Sequence, residues 1–324
     1  MARAAEALGY QVNTLARSLR TGTTGVVGVV VPTVTNPYVG PILRGAEDVL
    51  RSSGRILLIA ESHDDRETMR MVLEQMVTRR LDALIVLAAR RGDEEDLART
   101  ATKMPVVLAV RSLESGDLPT VAHDDRRGAR LATEHLLALG HRRLAQVPGS
   151  PDISSFRERS AGFQTCLAEH RALDVSEPEA DATEPTVEQG RRLGGRLLDR
   201  DPSDRPTAVF AHNDLLAVGV LTAVVERGLR CPKDVSVVGY NDSPLTAHLS
   251  PPLTTVRLPT AELGARAGRM VTALLGGAEV EASDPLEPLL VVRASSSAPG
   301  DSAQRPGSDH GVPAVDHQLV AGDE

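Results

Sequence analysis

Four side chains in this 324-residue sequence stand just beyond short apolar runs and carry groups that can grip a small polar molecule. Tyr38 comes after "VVGVVVP" (26–32), by way of Asn36 and Pro37. Arg159 opens the helical pattern that follows "RLAQVPG" (143–149). Asn213 comes after "TAVFAH" (207–212), and Asn241 after "VSVVGY" (235–240), beside His212 and Asp242. A guanidinium donates a fork of hydrogen bonds to vicinal hydroxyls or to a carboxylate. A carboxamide both donates and accepts, which suits a hydroxyl, and a phenol ring offers an aromatic face. Three of them have a plainer alternative. Arg159 could form a surface ion pair with Glu158 or another acid. Asn213 could cap a helix beginning near Leu215, a task open to Asp214 as well. Tyr38 could simply pack between lobes.

A second group lies at the start of the chain. Gly9 is a natural residue for ending a short Ala-rich helix, and Asn13 can cap another over Thr14 to Leu19 or Arg20, closed by Gly22. Over residues 1–25, Arg3, Arg17 and Arg20 against Glu6 give a net charge of +2, whereas the whole chain carries −8. Such a local reversal is the electrostatic footprint that DNA contact requires, while the acidic whole excludes non-specific coating of nucleic acid.

Other chemistries lack their residues. "GTTGVVG" (22–28) precedes a strand, where a dinucleotide loop would follow one. There is no Walker A sequence and no GxSxG nucleophile elbow. His135 and His141 are six apart, poorly aligned on a helix for one metal; His141 follows Gly140, where a helix ends, and reads as structural. No catalytic set, metal site or cofactor site emerges, so the chain is read as a non-enzyme. Cys166 and Cys231 have no ligand or CxxC spacing. No run approaches the roughly 18 apolar residues of a membrane span, and Arg3 and Glu6 interrupt any signal-peptide core. A cytoplasmic location is expected.

The elements that must position these groups follow from patterning. Besides the runs above, "RILLIA" (55–60), "ALIVLAA" (83–89), "PVVLAV" (105–110) and "PLLVVR" (288–293) are short and continuously apolar, as strands buried on both faces are. Between them, Ile42, Leu43, Ala46, Val49 and Leu50 share one helical face, and Met69, Val72, Leu73, Met76 and Val77 another. Alternation of strand and helix predicts parallel sheets covered on both faces. The strands fall into two groups, 26–122 and 143–240, so two open sheets are expected. Ligands of such sheets bind beyond the strands' carboxyl ends, which is where the four residues stand. Residues 173–187 read as a loop. From Ser295 the sequence loses periodicity, and residues 298–324, with five acids and one base, read as a disordered tail.

Several segments resemble the LacI/GalR family of bacterial transcriptional regulators: "EALGYQVNTLARSLRTG" (6–22), "VVGVVVPTVTNPYVGPILRGAED" (26–48), "GARLATEHLLALGHRRLA" (128–145), "RERSAGF" (157–163), "PTAVFAHNDLLAVGVLTAVVERGLRCPKDVSVVGYND" (206–242) and "PPLTTVRLPTAELG" (251–264). The resemblance covers residues 1 to about 297. It implies a two-lobed periplasmic-binding-protein-like type I fold, two parallel doubly wound sheets joined by three crossovers. A remnant of a helical DNA-binding headpiece and a hinge helix (1–24) would precede an effector and dimerisation domain (25–297). The N-lobe is expected at about 25–141 and 255–277, and the C-lobe at about 142–254 and 286–297.

By the same resemblance, Arg159 matches the family's effector-binding arginine, with Tyr38, Asn213 and Asn241 beside it. Asn13, Ala16, Arg17, Leu19 and Arg20 match the hinge helix, which pairs with a second copy in the minor groove of operator DNA. Leu19 is the wedge between base steps, and Arg17 and Arg20 meet phosphate. The implied partners are operator DNA, a small polar effector such as a carbohydrate, and a second copy of the chain; no membrane is involved.

The departures are specific. Asn241 stands where the family has Asp, Val110 where it has the Asp of "VDR", Leu258 at a position often Gln, and Val12 where a proline precedes the hinge. With aromatic residues at 2% and no Trp, stacking on a sugar has few partners. The recognition helix that reads the major groove is not contained in this sequence, and the expectation is a native product that begins upstream of Met1. The alternative is a headless cytoplasmic sensor that binds a small molecule without sequence-specific DNA binding. A transport solute-binding protein and a sugar-processing enzyme fit less well, lacking a signal peptide and a catalytic set respectively.

Overall fold

The computed structural model describes residues 22–115, 117–177, 184–280 and 283–300. The hinge residues Asn13, Ala16, Arg17, Leu19 and Arg20, and the tail from 301, lie outside the described residues. The first lobe is built from β1 (Val26–Val31), α1 (Val39–Ser52), β2 (Ile56–Glu61), α2 (Arg66–Thr78), β3 (Ala83–Val86), α3 (Glu94–Ala101), β4 (Val106–Ala109) and β5 (Thr120–Val121). Its sheet is wholly parallel in the order β2-β1-β3-β4-β5, with Val27 opposite both Leu57 and Ala83. The continuous apolar runs explain the centre: every residue of β3 and β4 is buried, as parallel strands covered on both faces must be. At the edge, β2 leaves Ile56, Leu58 and Ile59 exposed, at 63%, 40% and 44%.

The second lobe holds α4 (Asp125–Ala138), β6 (Arg143–Val147), α5 (Ser154–Glu169), β7 (Leu173–Asp174), α6 (Val187–Leu198), β8 (Ala208–Ala211), α7 (Asp214–Glu226), β9 (Ser236–Asn241), β10 (Thr254–Arg257) and β11 (Leu289–Val291). Its sheet runs β11-β10-β9-β8-β6-β7, parallel except where β11 pairs antiparallel with β10. Between β10 and β11 the chain returns to the first lobe as α8 (Thr260–Leu275), which packs on α1, β3 and β4. The α1–α8 contact is close enough that a Cβ on Gly264 would stand 1.9 Å from the Ile42 carbonyl oxygen.

The chain therefore crosses between lobes three times. The first and third crossings lie side by side: Leu286 N–H donates to the Ala122 carbonyl at 2.9 Å and Asp124 N–H to the Leu286 carbonyl at 3.0 Å. The lobe limits differ from the sequence expectation in two places. Helix α4 packs on α5, β8, β10 and β11, so the first crossing falls near His123 and not at 141. Strand β10 pairs with β9, so the second crossing falls near Leu258 and not at 254. An amphipathic helix does not announce which of two sheets it covers, and a helix just after a crossing is assigned only by its contacts.

The stretch read as a loop, 173–187, opens with the short strand β7. The serines that begin the low-complexity sequence are also packed. Ser295 is fully buried, its hydroxyl donating to the Val237 carbonyl at 2.6 Å and accepting from Thr254 N–H at 2.8 Å. His141 is buried and bridges Thr207 Oγ1 (2.9 Å) and the Ser297 carbonyl (2.9 Å), the structural role its position suggested.

Candidate functional site

A cleft opens between the lobes, beyond the carboxyl ends of both sheets. Tyr38, Arg159, Asn213 and Asn241, chosen from the sequence, all line it. They arrive there by different local devices.

Arg159 lies one helical turn into α5, on the same face as Ser155 and Phe156. It is 3% exposed. Its Nε donates to Asp125 Oδ1 at 2.9 Å, and Nη1 donates to the His212 carbonyl. Its guanidinium carbon lies 3.8 Å from the Tyr240 ring centroid and 5.2 Å from that of Phe156. An ion pair taken out of water survives only when further hydrogen bonds and favourable contacts complete it; two aromatic faces and a carbonyl do so here. Burial raises the Asp125 carboxyl above its usual range, and the Arg159 charge opposes that rise. Glu158, the neighbour that could have paired with Arg159, bonds Arg126 at 3.0 Å instead. The packing leaves no slack: a Cβ on Gly128 of α4 would stand 2.1 Å from the Tyr240 hydroxyl.

Tyr38 ends the loop before α1, which the Asn36 side chain shapes by accepting its N–H at 3.1 Å. The Tyr38 hydroxyl meets His123 Nδ1 at 3.3 Å, on the first crossing segment. Burial, with the Arg159 charge nearby, pushes the His123 imidazole down to about 3, so it is neutral at physiological pH. Tyr38 thus joins the wall of the cleft to a strand between the lobes, and does more than pack.

Asn213 takes the plainer role foreseen for it: its Oδ1 accepts Leu216 N–H at 2.7 Å as the cap of α7, and its Nδ2 donates to the Pro185 carbonyl at 3.1 Å. Asp214 is turned away, accepting from Ser243 N–H and Thr255 Oγ1, both at 2.7 Å. Asn241 is the reverse case. It ends β9 with φ +110°, a conformation that L-residues adopt only where surroundings impose it. Its Oδ1 is buried without a hydrogen-bond partner among the described residues. An orphaned acceptor on a cleft wall is what a ligand's donor would complete.

The sequence reading passed over Arg111, which follows β4 just as Asn241 ends β9. It is 6% exposed, lines the cleft, and pairs with Asp64 at 2.5 Å and 3.2 Å. The strand-end criterion that found the others points to it too. Asp125 carried no such signal, because its pairing exists only once α4 and α5 are packed together. At the rim, contacts join the lobes directly: Arg90 to Asp152 at 2.9 Å, Ser112 N–H to Ser154 Oγ at 2.8 Å, and Glu114, held by Arg91 of its own lobe (2.6 Å), to Arg157 at 3.3 Å. Among the described residues, no group of three or more His, Cys, Asp or Glu is placed to hold a metal ion, and no helix is long and apolar enough to cross a membrane.

Comparison with known proteins bears on this architecture directly. Residues 133–296 match the family described as a periplasmic binding protein-like domain. The chain is 33% identical over 298 residues to the HTH-type transcriptional regulator GalR of Escherichia coli, covering 91% of this chain and 86% of that protein. It is 30% identical over 295 residues to the HTH-type transcriptional repressor PurR of Mannheimia succiniciproducens, covering 90% and 87%. Among solved structures, a LacI family transcriptional regulator from Enterococcus faecium with bound ribose superposes with a TM-score of 0.73 at 26% identity, covering 84% of this chain and 99% of that one.

Proposed function

The chain belongs to the LacI/GalR family of ligand-responsive transcriptional regulators, and from that premise we propose that a small polar effector held between its lobes controls its grip on operator DNA. The observation that carries the reading is the convergence of Arg159, Tyr38 and Asn241 on one cleft, directly above the crossing segments. Arg159 is tied to Asp125 just after the first crossing, and Tyr38 is tied to His123 within it. An effector that contacts both side chains acts on the segment about which the lobes turn. Closure and opening are then two states whose populations the effector shifts.

The protein acts as a homodimer. An edge strand that exposes three large apolar side chains invites association, and β2 does so with Ile56, Leu58 and Ile59. Two hinge segments, each with Asn13, Ala16, Arg17, Leu19 and Arg20, come together on operator DNA; Leu19 enters the minor groove and Arg17 and Arg20 meet phosphate. The chain works in the cytoplasm and performs no catalysis. A headless sensor would share the cleft and lack the DNA step.

Leu19→Ala separates the two. It is expected to weaken operator binding at least about tenfold by fluorescence anisotropy, the scale of a lost intercalating wedge, with effector affinity unchanged. Equal DNA affinity in both proteins would sink the hinge assignment.

A further inference from the structure

Three features of the cleft wall point the same way. The first is what it lacks. Among the described residues its polar lining comes from Arg159, Arg111, Asn36, Asn213, Asn241 and Ser155, beside Tyr38, and contains no aspartate or glutamate. Asp125 and Asp64 stand behind the arginines, and Asp214 is turned to Ser243 and Thr255. The second is the arginines. Both are more than nine-tenths buried, and the hydrogen bonds of Arg159 run from Nε and Nη1. The third is the helices. Of the eight described helices, six carry an acid in the first turn; α1 and α5 carry none, and neither has a side-chain cap. These two begin at the cleft, one from each lobe, through Tyr38 and Val39 and through Ser155 and Phe156. The Tyr38 and Val39 N–H groups are taken by Asn36, and that of Phe156 by the Ile153 carbonyl, but the positive dipole ends of both helices face the cleft.

The wall is rich in donors and poor in acceptors. A neutral sugar brings a donor with every hydroxyl, and most of those would find no protein acceptor; a buried donor left unpaired is costly. An oxyanion only accepts. We propose that the effector is an anion, a small polar metabolite bearing a carboxylate or phosphate. Its oxyanion takes hydrogen bonds from Arg159 and from the N-terminus of α5, and a hydroxyl elsewhere on it donates to Asn241 Oδ1. The proposal rests on the reading of this cleft as the effector site.

The test uses the full chain and a metabolite extract of its own cells. The extract is passed over an anion-exchange resin at pH 8, and retained and unretained fractions are compared for their shift of the chain's melting temperature. The retained fraction is expected to give the shift. Phosphatase treatment of that fraction abolishes the shift if the group is a phosphate ester and leaves it if the group is a carboxylate. Asn241→Asp, isosteric and placing a carboxylate on the wall, is expected to lower the apparent affinity at least about tenfold, the scale of an unpaired like charge in a desolvated site. The variant's own melting temperature checks that it is folded. A shift from the unretained fraction alone would overturn the anion assignment while keeping the cleft. An anion whose shift is untouched by both Asn241→Asp and Arg111→Gln would bind elsewhere, and the proposal would fall. A shift from neither fraction would overturn the effector reading itself.

Discussion

Arg159 and Arg111 face one cleft from opposite lobes, and they are held in different ways. Arg159 is fixed by regular structure: its partner Asp125 begins α4, its carbonyl acceptor lies between β8 and α7, and it is flanked by aromatic rings. The two side chains of its ion pair are 4% and 5% exposed. Arg111 is fixed by loops. Its partner Asp64 lies between β2 and α2 in the left-handed region, with φ +51°, and is 19% exposed. Val110, just before Arg111, has φ +72°. The second lobe thus presents a prebuilt anchor, and the first lobe a wall that can adjust on closure. The cost of misplacing a binding group is paid once, in the fold, on the anchored side.

The contrast is broken most directly by removing the acids behind the arginines. Asp125→Ala leaves a buried guanidinium unpaired and is expected to cost about 3–5 kcal/mol, as broken buried pairs do. Asp64→Ala leaves a charge that the loop can turn toward water, and is expected to cost roughly 1–2 kcal/mol. Urea denaturation of the two variants measures both. Equal costs would mean that the two walls are equally rigid.

A smaller effect concerns the rim. Asp152 of the second lobe pairs with Arg90 of the first at 2.9 Å, with side chains 43% and 23% exposed. Exposed pairs contribute about 0.2–1 kcal/mol, so Asp152→Ala is expected to leave global stability within about 1 kcal/mol of wild type. The balance between closed and open lobes is itself a matter of a few kcal/mol, so the same change is expected to enlarge the ligand-free radius of gyration in X-ray scattering. An unchanged radius would show that Ser112–Ser154 and Glu114–Arg157 hold the lobes without it.

How much of this was legible in the sequence follows the same division. The apolar runs of β1, β3, β4, β8 and β9 declare themselves because burial on both faces demands continuous apolarity. Strand β10, "TTVR", does not: Thr254 and Thr255 are fully buried with their hydroxyls bonded to Ser296 and Asp214, and such pairings exist only in three dimensions. Ser295 misleads by composition for the same reason. At the cleft, Tyr38, Arg159 and Asn241 were legible because the strand-end rule is topological. The capping bond that occupies Asn213 was legible too, as the plainer alternative for an asparagine just before a helix, whereas the pairing of Asp125 was not.

The subtlest expected difference lies in titration. Asp93, in the turn after Arg90, and Asp214, at the start of α7, are both lifted by burial from 3.8 to about 6. A carboxyl whose folded pKa is raised favours the fold most when protonated. Its contribution is fully present below about pH 3.8 and lost as pH rises through about 6. Asp93 Oδ1 is buried without a partner, while Oδ2 accepts Arg90 N–H at 3.0 Å. Asp93→Asn keeps that one bond and removes the charge, so it is expected to gain on wild type as pH rises from 5 to 7.5. Asp214 accepts two hydrogen bonds, one at each oxygen, which an asparagine cannot do. Asp214→Asn is therefore expected to fall below wild type across the whole range, and by more than the other variant gains. Thermal unfolding at several pH values reads both. Two buried aspartates with the same displaced titration would then respond oppositely to one substitution, because one carboxylate is tolerated in its place and the other is used.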